Sequence, residues 1–95
     1  MAHWQTDVPT TEGVWKFVYV NGQFRFTDSL TGCGHAGCVT EDELPTDAGT
    51  LFIIGESYFR IEFGSMTLGI GCSEAVEQEL IKFMAPLPYR DKFAY

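Results

Sequence analysis

A chain of 95 residues, 45% apolar and 15% aromatic, is one domain with enough apolar surface for its own core, too hydrophobic to stay disordered despite a net charge of −7. The acidic balance argues against nucleic acid or an anionic membrane as partner, because both gather Lys and Arg. It fits a basic protein partner, a nucleic-acid mimic or plain solubility. No apolar run approaches the ~20 residues that span a bilayer. Residues 1–10 lack the basic and apolar regions of a signal peptide, and three cysteines do not make a disulfide framework. A cytoplasmic location is therefore expected.

Residues 1–13 read as an entry segment, and at residue 14 the pattern changes to a period of 2. Trp15, Phe17 and Tyr19 alternate with Lys16 and Val18 up to Asn21-Gly22, a pair suited to a type I′ turn. A hairpin over 14–28 then pairs Val20 with Gln23, Tyr19 with Phe24, Val18 with Arg25 and Phe17 with Phe26. Five aromatics share one face, and that face is core.

Residues 29–49 form a long connection that holds four of the ten glycines, two of the three cysteines and the acidic stretch Glu41-Asp42-Glu43 with Asp47. From residue 50 the alternation returns. Residues 50–71 read as a three-stranded meander, with a tight turn at Gly55-Glu56 and a II′ turn at Gly64-Ser65. Phe59, Ile61 and Phe63 point inward. They should face Ile70, Leu68 and Met66 of the last strand, with Gly69 opposite Arg60 on the outer side.

Ser73 suits an N-cap for a helix over 73–84, whose first turns carry Glu74, Glu77 and Glu79. Val76, Leu80, Phe83 and Met84 make its apolar stripe. Ala85-Pro86 ends it, and residues 85–95 remain as a tail. The expected fold is α+β: a five-stranded antiparallel sheet or half-barrel, ββ-long loop-βββ, closed by one C-terminal helix.

Chemistry concentrates in the long connection. Cys33, His35 and Cys38 form C-x-H-x2-C, and Cys72 at the helix entry is a candidate fourth ligand for zinc. A reversible Cys33–Cys38 bridge and plain thiols in a glycine-rich loop are the alternatives. Cys72 also stands where a helix dipole lowers a thiol pKa. No nucleophile is marked by a base and an orienting group, so no enzyme activity is expected. Gly69 and Gly71 before the helix lack the lysine of a phosphate loop. The charge argues against an RNA-binding β-platform, the missing C-x2-C pairs against a zinc ribbon, and the absence of a βαβ pattern against a thioredoxin-like fold.

The leading expectation is a small acidic protein-binding module, an inhibitor or adaptor of a larger basic assembly that handles nucleic acid. Its contact residues would be Glu41, Asp42, Glu43 and Asp47 of the loop, Tyr58, Arg60 and Glu62 on the outer sheet face, and Tyr89, Phe93 and Tyr95 of the tail. The tail can also dock as a strand on its own sheet. Two alternatives are a structural subunit that self-associates through an edge strand or the tail, and a zinc or redox site in the loop.

Overall fold

The computed structural model describes residues 4–28, 34–65 and 68–89, without the side chains of Ala36 and Phe63. Among these residues the elements are β1 (Gly13–Val20), β2 (Gln23–Asp28), a 3-10 turn (His35–Cys38), β3 (Asp47–Ile54), β4 (Tyr58–Phe63) and α1 (Glu74–Met84). The strands make one open antiparallel sheet in the order β2-β1-β3-β4. The class is α+β with a single C-terminal helix. No described helix is long and apolar enough to cross a membrane.

The β1–β2 hairpin has the expected register, from Val20 opposite Gln23 to Phe17 opposite Phe26. Asn21 and Gly22 turn the chain with φ of 52° and 76°, the left-handed pair a type I′ turn needs. Phe17, Phe24 and Phe26 therefore share a face with Leu51, Ile53, Phe59 and Ile61, and Val76, Leu80 and Met84 of α1 close it. Ser73 caps the helix through its hydroxyl, which accepts from the Val76 N–H at 3.3 Å. Phe83 sits beside the buried stripe, 44% exposed, stacked on Phe24 and Phe26 with centroids 5.8 and 6.3 Å away.

β3 starts earlier than the sequence pattern suggests. Residues 47–49, expected in the loop, pair with Tyr19, Val18 and Phe17. Gly49 makes this possible. A Cβ there would stand 2.5 Å from the Glu62 carbonyl oxygen and 2.7 Å from the Phe17 ring.

The fifth strand of the sequence reading is not formed by the described residues. Leu68 N–H donates to the Ser65 hydroxyl, and the N–H groups of Gly69 and Ile70 converge on the Ser65 carbonyl. The chain loops around Ser65 instead of returning along β4, while Met66 and Thr67 lie outside the described residues. Two competing contacts account for the difference. Ala48 accepts from Gly64 N–H and donates to Gly71 C=O, so both ends of the loop are anchored beside β3. The outer edge of β4 is taken at Phe59 by the tail, where Phe59 N–H donates to Pro88 C=O and Tyr89 forms a parallel bridge.

Leu68 and Ile70 consequently pack on the second face, against a cluster of Val18, Val20, Cys38 and Ala48 that Trp4 and Val39 also cover. The sheet carries a small second core on the side opposite the helix.

Candidate functional site

Period-2 alternation puts Arg25 on the second face, opposite Val18. Only 6% exposed, it must find partners for its charge, and it does. Its guanidinium lies 4.4 Å from the Trp4 ring centroid, and Nη1 donates to the Cys38 carbonyl at 3.0 Å. Nη1 and Nη2 also reach the two carboxylate oxygens of Glu43, at 2.6 and 2.8 Å. Bidentate pairs of this kind fix direction as well as charge.

Glu43 is fastened further. It accepts from the Thr40 N–H at 2.9 Å and from the Asn21 amide at 3.0 Å. Its own N–H donates to Thr40 C=O, and the Thr46 N–H donates to Tyr19 C=O. The turn over 40–46 is thus tied to the hairpin at both ends. Arg25, and after it the Thr40 N–H, holds the Glu43 carboxyl down at about 2.

With Glu43 turned inward, Glu41 and Asp42 point into solvent, and Leu44 stands 86% exposed beside them. A leucine offered to water on an anchored turn, framed by two carboxylates, is the most conspicuous feature of this surface. Asp47 does not belong to it. It is buried, with Oδ2 accepting from Ser73 N–H at 2.6 Å and Oδ1 from the Thr46 hydroxyl at 2.7 Å. The expected contact residue is a brace between the start of β3 and the helix entry.

Tyr58, Arg60 and Glu62 share the second face of β4, opposite Ile54, Phe52 and Thr50. Glu62 is exposed and the other two are half-buried, with the Arg60 guanidinium 5.9 Å from the Phe52 ring centroid. β3 separates this row from β1 and β2, which hold the acidic turn. Tyr89 packs its ring 5.3 Å from that of Phe59, so this residue docks on the chain's own sheet. Phe93 and Tyr95 lie outside the described residues.

The candidate metal ligands are dispersed where they can be placed. His35 is buried with Nε2 2.6 Å from the Gly49 carbonyl, and burial pulls its pKa below the usual imidazole value. Cys38 is buried in the second-face cluster, whereas Cys72 packs against the helix-side core. Cys33 lies outside the described residues. Among the described residues no three His, Cys, Asp or Glu side chains are grouped to hold a metal ion. The Cys72 thiol departs from expectation: burial, then Asp47 and Glu77, push it up to about 11.

Sequence reasoning missed Arg25, Trp4 and Leu44. The available signal was a leucine set between an acidic run and Pro45, where a solvated charge cluster has no use for one. Phe83, expected in the core stripe, is instead part of the lining of two clefts of about 530 and 520 Å³. The first is lined by Tyr19, Phe24, Glu79 and Lys82 among others, with the Glu79 carboxylate raising the Tyr19 phenol pKa. No family model, curated protein or solved structure matches this chain.

Proposed function

We propose that the chain is a small, acidic, non-enzymatic protein-binding module, an inhibitor or adaptor of a larger basic assembly that handles nucleic acid. The observation that carries this reading is Leu44, 86% exposed on a turn that Arg25 holds through Glu43. A contact residue presented on an anchored turn loses little freedom on binding, which saves part of the ordering cost of association. Glu41 and Asp42 beside it, on a chain of net charge −7, favour a partner whose apolar pocket is rimmed by Lys and Arg.

The test is parallel capture from host extract with the wild-type chain and a Leu44→Asp variant. A basic partner retained by the wild type, released by salt and lost with the variant is the expected result. An identical retained set with both proteins refutes the role of Leu44.

A second reading, self-association, has one observation in its favour. β4 is an outer strand of the described sheet, and the tail meets it at Phe59. Open strand edges invite a neighbouring chain. Light scattering of the full chain and of a chain ending at Pro88 tests it: monomers in both cases remove this reading. The zinc or redox reading depends on Cys33 reaching His35 and Cys38, and metal analysis of the purified protein decides it.

A further inference from the structure

The second cleft beside Phe83 has a chemistry of its own. About 520 Å³ in volume, it lies between the N-terminal segment, the β3–β4 turn and the end of α1. Val8, Pro9, Phe83, Met84 and Leu87 give it apolar walls, and Glu56 is the one charged residue among the described lining. The Glu12 carboxylate lies close by, 3.8 Å from where a Cβ on Gly55 would sit.

Over residues 85–88 the N–H groups of Ala85 and Leu87 donate back to the carbonyls of Lys82 and Met84, and Pro86 and Pro88 have none. Pro9 adds a further backbone unit without a donor. Residues 85–88 and Pro9 therefore leave no free backbone N–H on this part of the wall, and the Glu56 side chain supplies the lining's one carboxylate. An apolar cleft with a single carboxylate in its lining suits a group with a positive charge on an apolar stem. Lysine and arginine both meet that description, and the exposed Phe83 in the lining favours arginine, whose guanidinium stacks on aromatic faces.

The geometry points to this cleft as the docking site for an arginine side chain of a partner protein, with its stem along Met84 and Leu87 and its guanidinium toward Glu56 and the face of Phe83. This rests on the reading of the chain as a protein-binding module but uses a different surface. The cleft sits at the β3–β4 turn on the helix side, whereas Leu44 sits at the β1–β2 end on the other side of the sheet.

The probe is a capped tripeptide of leucine flanked by two arginines, titrated into the ¹⁵N-labelled full chain, beside an isosteric peptide with citrulline in place of arginine. The arginine peptide should shift the amides of Gly55, Glu56, Met84 and Leu87. Citrulline, or Glu56→Gln in the protein, should weaken binding about tenfold, as loss of a charge-assisted contact does. Equal binding of the two peptides, or no shifts at millimolar peptide, overturns the proposal. Shifts confined to residues 41–46 overturn it while leaving the acidic turn as a binding surface. Shifts of the same cleft amides in an Arg90→Gln chain without peptide assign the cleft to the chain's own tail and also overturn it.

Discussion

Glu43 receives both terminal nitrogens of Arg25, at 2.6 and 2.8 Å, across 18 residues of sequence. This contact joins the second strand to the acidic turn and decides which carboxylates remain outside. Its pH dependence follows from the direction of the shift. The folded-state pKa near 2 lies below the ~4.3 of an unfolded glutamate, so the stabilisation is complete above about pH 5 and fades as pH falls toward 2. Glu43→Gln should therefore lower the urea midpoint at pH 7 and differ little from wild type near pH 2. A constant gap across that range contradicts the ion-pair account.

His35 acts in a higher window. Burial lowers its folded pKa below the unfolded ~6.5, so the unfolded chain takes up the proton first and stability falls as pH drops through about 6.5. Lys16 adds to the same direction, and the Gly49 carbonyl opposes it. His35→Gln should flatten the stability profile between pH 7 and 5, measured by urea denaturation. An unchanged slope would mean that the imidazole titrates normally.

The core assignment makes a paired prediction. Phe59 is fully buried between β3, the tail and α1, and Phe59→Ala should cost about 3–5 kcal/mol. Tyr58, one residue away on the other face and half-buried, should cost about 1 kcal/mol when cut to alanine. Gly49→Ala should cost about 1–3 kcal/mol, because its Cβ meets backbone at 2.5 Å as well as the Phe17 ring. Chemical denaturation of the three variants checks all of this, and equal costs for Phe59 and Tyr58 would refute the face assignment.

Asp47 ties helix entry to thiol chemistry. It accepts from Ser73 N–H and stands among the groups that raise the Cys72 thiol to about 11. Asp47→Asn should therefore speed alkylation of Cys72, read on its own peptide by mass spectrometry. No acceleration at pH 8 would show that Asp47 has no part in controlling this thiol.

What the sequence disclosed and what it hid differ in range. The Asn21-Gly22 hairpin and the Ser73 cap depend on neighbours a few residues away, so composition and spacing reveal them. The described residues do not form the fifth strand expected after Gly64-Ser65, a pair locally consistent with a hairpin, while Pro88 and Tyr89, far along the chain, take the β4 edge at Phe59. Asp47 and Gly49 look like loop residues in sequence; their strand conformation depends on Tyr19 and Phe17 across the sheet. Glu43 reads as one charge in a solvated run until Arg25, a residue on the less patterned face, is set beside it.

The acidic turn as an electrostatically guided contact is best tested by association kinetics with the captured partner. The on-rate should fall about tenfold or more between ~20 and ~200 mM salt, and Glu41→Gln with Asp42→Asn should reduce that dependence. An on-rate indifferent to salt, or untouched by removing the two outward carboxylates, contradicts it.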